Sequence, residues 1–269
     1  MLSGRAVLIT GGGTGLGKAT ALELARCGAE VTIAGRREEV LRQAAAEIGS
    51  AAGCEIGIAV GDIREIAEAR RMVEGVLGRN GRLDVLVNNA GGQFFSPAEL
   101  IALKGWRAVW RLNVEGMLNL AEAAYELALA PAGGGMVVNT TLSPHHGMPG
   151  MAHSGAARAA VEALTRELAE RWSSAGVAVA AVAPGAFDTE VMVKYPVSVH
   201  AGMSRSVPVQ RLGNVSEHAW LVTLLCSPLG MAFSGSVVTL DGARDNWFGP
   251  WPPPGLVDEG GEVPVEERR

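Results

Sequence analysis

Eight residues near the start of the chain, Thr10-Gly11-Gly12-Gly13-Thr14-Gly15-Leu16-Gly17, are of a type and spacing suited to holding phosphate. They separate the apolar run Ala6–Ile9 from an amphipathic stretch, Leu16–Cys27. Glycines at such a strand-to-helix turn allow a tight bend and bring backbone N–H groups, with the positive helix end, against a pyrophosphate. A glycine cluster alone is as well explained by a structural turn; the strand–turn–helix context is what points to a dinucleotide. Gly11, Thr14, Gly15, Leu16 and Gly17 are the residues expected at the phosphates. The group that reads the adenosine ribose should end the second strand, about twenty residues further on. There the chain has Gly35-Arg36-Arg37 and no carboxylate. Two guanidinium groups suit a ribose 2′-phosphate by charge and by their forked donors. A solvated basic turn is the competing reading, but cations are disfavoured at a helix start. The expected cofactor is therefore NADP(H).

These residues need a scaffold, and the hydrophobic pattern supplies one. Short apolar runs at Glu30–Ala34, Ile56–Val60, Leu83–Val87, Met136–Asn139, Val177–Val182 and Val237–Leu240 read as strands. Helical stretches alternate with them at Glu38–Ile48, Ile66–Leu77, Gly105–Leu129, Met151–Ser173 and Ser216–Cys226. Strand–helix alternation specifies a parallel sheet with right-handed crossovers. Continuous rather than alternating apolar runs indicate strands covered on both faces. The predicted fold is α/β, a doubly wound parallel sheet of Rossmann type in a single domain over residues 1–245. A Trp- and Pro-rich tail follows over residues 246–269, and Phe187–Ser206 is expected to be a loop covering a cleft.

The composition narrows the function classes. The 269 residues are 48% hydrophobic with 36 glycines, enough for a large core with many tight turns. A net charge of −5 without a basic stripe argues against nucleic acid. No apolar run is long enough for a membrane span, and no leader-like segment precedes the first strand. Cys27, Cys54 and Cys226 are expected to be buried thiols rather than a disulfide framework, and no cluster has metal-ligand spacing.

Further motifs carry a resemblance. Asp62-Ile63 follows the third strand, Asn88-Asn89-Ala90-Gly91 the fourth and Pro184-Gly185 the sixth, while Asn113 lies in a long helix after Trp106. From about Arg5 to Asp241 the chain resembles the short-chain dehydrogenase/reductase superfamily. That resemblance implies that Asp62 and Ile63 meet the adenine, that Asn89, Ala90 and Gly91 line its ribose, and that Pro184 and Gly185 meet the nicotinamide. Asn113 would hold backbone and a water near the active site. The superfamily's catalytic Ser and Tyr-x-x-x-Lys are replaced: Thr141, or its neighbour Leu142, stands for the serine, and Ser154-Gly155-Ala156-Ala157-Arg158 occupies the second motif. In this respect, and over Asn88–Phe94, Ser96–Glu99 and Lys104–Trp106, the chain looks like the peroxisomal-type trans-2-enoyl-CoA reductases. It is also similar to the 2,4-dienoyl-CoA reductases, which share the missing tyrosine and a stretch like Gln210–Gly213, and to bacterial enzymes of citronellol-type catabolism. The implied activity is NADPH-linked reduction of an unsaturated acyl-CoA, by a cytoplasmic homotetramer. The chain's last residues, Glu267-Arg268-Arg269, are not a peroxisomal signal.

The replaced motif suits that chemistry better than carbonyl reduction. A serine hydroxyl is a poor acid and arginine stays protonated, so alcohol deprotonation is badly served. Hydride addition to the β-carbon of an enoyl thioester instead builds negative charge on the thioester oxygen, which neutral and cationic donors stabilise. Asn113, Thr141 and Ser154 are candidate donors. Arg158 is expected to bond the nicotinamide ribose and keep positive charge near the enolate. The bland alternatives are that Ser154 only packs beneath the cofactor and that Arg158 pairs with Glu162 one turn on. His145, His146 and His153 are candidates to protonate the α-carbon. A dehydrogenase of a terpenoid alcohol or aldehyde, and a non-catalytic NADP-binding protein, are the competing readings.

Overall fold

The computed structural model describes residues 2–145, 147, 150–190 and 207–246. Seven parallel strands form one sheet in the order β3-β2-β1-β4-β5-β6-β9. They are β1 (Ala6–Thr10), β2 (Glu30–Gly35), β3 (Gly57–Val60), β4 (Val85–Asn88), β5 (Gly135–Thr140), β6 (Val177–Pro184) and β9 (Val237–Leu240). The order reverses between β1 and β4, and it is outside the carboxyl ends of strands at such a switch point that open α/β sheets bind ligands. Two short strands, β7 (Phe187–Asp188) and β8 (Gly213–Asn214), pair separately. The expected loop at Phe187–Ser206 thus begins as a strand; residues 191–206, and the expected tail from residue 247 on, lie outside the described residues.

Helices cover both faces. Leu8 of β1 joins a cluster with α3 (Ile66–Asn80), α5 (Gly116–Ala124) and α6 (Ala152–Trp172). Val7 and Ile9 join the opposite cluster with α1 (Gly15–Arg26), α2 (Glu38–Ala52) and α7 (Val215–Cys226). All five residues of β1 are buried, which explains its unbroken apolar sequence. Each fully buried Leu or Ile contributes roughly 1.5–3 kcal/mol by burial.

Three expectations need correction. The helix expected over Gly105–Leu129 starts at Leu103 and runs as α4 (Leu103–Trp110), a π-helical turn over Arg111–Glu115, α5, and a second π-helical turn over Tyr125–Leu129. Spacing along the first helix makes Leu16, Ala19, Leu22 and Leu24 available for one side, but the face it buries is Gly17, Thr20, Ala21, Leu24 and Ala25, with Leu22 only partly buried, because small residues let α1 approach α7. Of the cysteines, only Cys226 is buried; Cys54 is exposed, having no core position to fill after α2 ends at a left-handed Gly53. No helix among the described residues is long and apolar enough to cross a membrane.

Candidate active site

The carboxyl ends of β1, β2, β4, β5 and β6 open into one cleft of about 940 Å³. Its floor is the glycine turn. Gly11 and Gly15 adopt left-handed φ values of +66° and +52°, which glycine allows without a Cβ penalty. A Cβ on Gly17 would lie 2.4 Å from both the Asn89 Nδ2 and the Gly11 carbonyl oxygen, so only glycine lets α1 start this close to β4. Thr14 caps α1 without a side-chain hydrogen bond, whereas α7 carries a full capping box from Asn214 and Glu217. First-turn N–H groups of α1 are thereby left for other acceptors. Gly15 N–H donates to the Glu190 carboxylate at 3.0 Å, so an anion already stands where phosphate is expected. This cradle fits a dinucleotide.

Thr10 ties the floor to the wall. Its Oγ1 accepts from the backbone N–H groups of Asn89 (3.0 Å) and Ala90 (2.9 Å), and its carbonyl accepts from Asn89 Nδ2 at 2.9 Å. Asn89 is thus bonded to β1 by its side chain and main chain. Asn88 Nδ2 donates to Asn139 Oδ1 (3.1 Å), and Asn139 Nδ2 to Thr165 Oγ1 (3.0 Å). This buried ladder fixes α6, the carrier of Ser154 and Arg158, against β4 and β5.

Beyond the ends of β2 and β3, Gly35, Arg36, Arg37, Asp62 and Ile63, the residues expected at the adenosine, all line the cleft. Arg36 and Arg37 are exposed and make no ion pair among the described residues. Asp62 is held by Arg64, whose Nε lies 2.9 Å from Oδ1; this hydrogen bond keeps its carboxyl below the usual range.

The other end centres on Arg158. It is 8% exposed, and Nη1 donates to the Thr140 carbonyl at 2.6 Å. Nε has no partner, and no carboxylate lies against the guanidinium among the described residues. Burial pushes its pKa down to about 10. The expected alternative of an Arg158–Glu162 pair does not form. Glu162 instead meets His145 Nε2 at 2.9 Å, and Asp245 bonds His145 Nδ1. Arg158 is therefore a buried cation facing the cleft with its charge uncompensated, which is costly unless a ligand supplies the partner.

Around it, Asn113 sits in the π-helical turn and bonds Gly92 twice, accepting from N–H at 3.0 Å and donating to the carbonyl at 2.9 Å. Its amide is thus committed to the backbone. Thr141 lines the cleft, with its hydroxyl donating to the Val182 carbonyl at 3.3 Å. Ser154 is fully buried and donates to Gln93 Oε1 at 3.3 Å. Pro184 and Gly185 form the lip where β6 ends. Of the three histidines, His145 has both nitrogens against carboxylates. His153 is buried outside the cleft lining, packed on Phe94 (ring centroids 4.3 Å apart) and Trp106, with burial lowering its pKa. His146 lies outside the described residues. Sequence reasoning missed Thr10 as an anchor, Glu190, and the link from Ser143 Oγ to Asp241. All depend on long-range contacts; only Gln93 carried a local signal, in the Asn88–Phe94 motif.

Among the described residues no metal-binding cluster occurs, and Tyr125 stacks on Trp172 within the core (4.4 Å between centroids) rather than lining the cleft. A family model described as short chain dehydrogenase matches residues 5–197, and the chain belongs to that family. It is an oxidoreductase. It is 34% identical over 253 residues to a probable 2,4-dienoyl-CoA reductase, (2E)-enoyl-CoA-producing, of Bacillus subtilis, covering 92% of this chain and 98% of the relative. Among solved structures, a citronellol catabolism dehydrogenase of Pseudomonas aeruginosa is 38% identical with a TM-score of 0.81, covering 91% of this chain and 96% of that one. A gluconate 5-dehydrogenase of Burkholderia cenocepacia, solved with NADP and tartrate, is 30% identical with a TM-score of 0.84, covering 91% and 97%.

Proposed function

We propose that the protein reduces a carbon–carbon double bond conjugated to an acyl-CoA thioester, using NADPH. The observation that carries this is the uncompensated Arg158 cation beside Ser154, at the end of the cleft away from Arg36 and Arg37. The glycine turn would hold the pyrophosphate, Arg36 and Arg37 the 2′-phosphate, and Arg158 the nicotinamide ribose. When bound, the nicotinamide supplies a hydride to the β-carbon of the substrate. The electron pair of the double bond moves toward the thioester oxygen, where the Arg158 charge lowers the energy of the enolate, while the buried Ser154 hydroxyl acts by holding Gln93 at the cleft wall. A proton from water or a weak acid then returns to the α-carbon, and the thioester is restored. Asn113 acts by fixing the Gly92 backbone and Thr141 by fixing the end of β5. A 2,4-dienoyl-CoA, named for the Bacillus relative, is the vinylogous form of the same substrate.

A second reading, NADP-linked oxidation or reduction of a citronellol-like alcohol or aldehyde, is favoured by the 38% identical Pseudomonas structure. Incubation with NADPH and crotonyl-CoA, longer 2-enoyl-CoAs, 2,4-dienoyl-CoAs, citronellol and a simple secondary alcohol separates the two. Turnover of an enoyl- or dienoyl-CoA with little alcohol oxidation is expected. Robust alcohol oxidation without thioester reduction overturns the assignment, and nucleotide binding with no turnover of any substrate identifies a non-catalytic homologue.

We further infer a cytoplasmic homotetramer. Trp220 and Leu229 are 58% and 62% exposed, apolar side chains that a subunit contact would cover, and light scattering showing a monomer at micromolar concentration would sink the idea.

A further inference from the structure

Glu190 lies two residues beyond β7, and its carboxylate accepts from Gly15 N–H at 3.0 Å. The contact spans 175 residues of sequence. Gly15 opens α1 in a left-handed conformation at the centre of the glycine turn. Thr189 packs over the same residue: a Cβ on Gly15 would lie 3.9 Å from the Thr189 side chain. Thr189 and Gly15 both line the cleft. The short pairing of Phe187 with Gly213 anchors the segment from which both side chains project. Among the described residues the partner of the Glu190 carboxylate is the Gly15 N–H, at the positive end of α1.

We infer that Glu190 is a built-in competitor of the cofactor, its carboxylate taking the backbone donor that a dinucleotide pyrophosphate must take. The inference rests on the reading of the glycine turn as a pyrophosphate site. A carboxylate and a phosphate ask the same thing of a helix N-terminus, a donated N–H and a favourable dipole. Both cannot accept from one N–H at full strength, and their charges repel at this separation. Glu190 therefore sets the affinity for the cofactor: it keeps the donor satisfied when the cleft is empty and weakens the bound dinucleotide, which speeds exchange of oxidised for reduced cofactor. Because Glu190 is exposed, the penalty is modest.

The test is a set of binding titrations with the full chain at low salt. Glu190→Ala should tighten NADPH about threefold or more, chiefly by slowing dissociation, with Glu190→Gln falling between it and the wild type. Adenosine 2′-monophosphate, which carries no pyrophosphate, should bind the wild type and both variants alike. NADH shares the pyrophosphate, so Glu190→Ala should tighten it by the same factor. An NADP preference that proves wrong therefore leaves the inference standing, and shows as strong NADH binding to the wild type. Unchanged or weaker NADPH binding in Glu190→Ala overturns the inference. So does equal tightening of adenosine 2′-monophosphate, which would mark a general field effect instead of competition for Gly15. Failure of every variant to bind either dinucleotide removes both the inference and the reading beneath it.

Discussion

The guanidinium of Arg158 rests against the bare Cα of Gly91: a Cβ at that position would lie 2.1 Å from Nη2 and 2.8 Å from Asn113 Oδ1. The glycine after β4 and the arginine on α6 are thus one structural unit. Gly91→Ala should push the guanidinium off the cleft wall. Overpacking of this kind costs on the order of 1–3 kcal/mol of stability. The variant should fold, melt somewhat earlier and lose about tenfold or more in kcat/KM for NADPH. Thermal melts with steady-state kinetics check it, and an unchanged kcat/KM would falsify the link.

Arg158 trades stability for function. Its burial without a carboxylate lowers its pKa to about 10, which means the folded chain holds the cation at a cost. Arg158→Met should melt at the same temperature or higher, because it replaces an uncompensated buried charge with an apolar side chain. NADPH affinity and turnover should fall together. Ser154→Ala should lower the rate about tenfold or less, because its buried hydroxyl acts through Gln93 rather than on the substrate. An Arg158→Met protein that is strongly destabilised but binds NADPH normally would assign the residue a structural role.

Cofactor preference should reside in Arg36 and Arg37. Each charge-assisted contact to a 2′-phosphate is worth about 1.5–3 kcal/mol. Replacing Arg36 by Asp and Arg37 by Ser together should collapse the preference for NADPH over NADH, mainly by weakening NADPH. Fluorescence titration with both cofactors measures this; equal wild-type affinities would rule the assignment out.

His218 gives the fold a pH dependence. It is fully buried between Thr20, whose Oγ1 lies 3.3 Å from Nδ1, and Phe187, and burial pushes its pKa down to about 4. Unfolded, it titrates near 6.5. Between these values the unfolded chain binds a proton that the folded chain refuses, so stability is full above about pH 6.5 and falls as the pH drops toward 4. This one group accounts for about 3 kcal/mol of that loss. His218→Leu should flatten the acid limb of a plot of denaturation midpoint against pH. An unaltered slope would show that carboxylates alone control acid unfolding.

That the glycine turn, Arg36, Arg37, Asp62 and Asn89–Gly91 line one cleft was legible in the sequence, because each follows a strand. The glycine turn, Arg36-Arg37 and Asn89-Ala90-Gly91 each sit at the end of a strand that hydrophobic runs mark plainly. The catalytic half was less legible. The replacement of tyrosine and lysine by Ser154 and Arg158 could be read, but the surroundings of each could not. The helical spacing of Arg158 and Glu162 allowed an ion pair; the structure sends Glu162 to His145 because the segment after β9 brings Asp245 to the other side of the same ring. The single long helix expected over Gly105–Leu129 failed for a related reason. Asn113 bonds the Gly92 backbone within a π-helical turn that its periodicity does not encode.

The sequence by itself determined the class of fold and where in it the glycine turn falls. Strand–helix alternation with doubly buried strands has essentially one right-handed solution, and a glycine turn after the first strand falls at its switch point. Tertiary structure alone decided which polar groups remain available for chemistry. Whether Thr141, Asn113, His145 or Arg158 faces the cleft with spare hydrogen-bonding capacity depends on partners 18 to 100 residues away. Hydrogen-bond satisfaction is a property of the packed interior, where most buried donors take an acceptor the fold delivers and a few, such as Arg158 Nε, are left without one, and no local pattern records which.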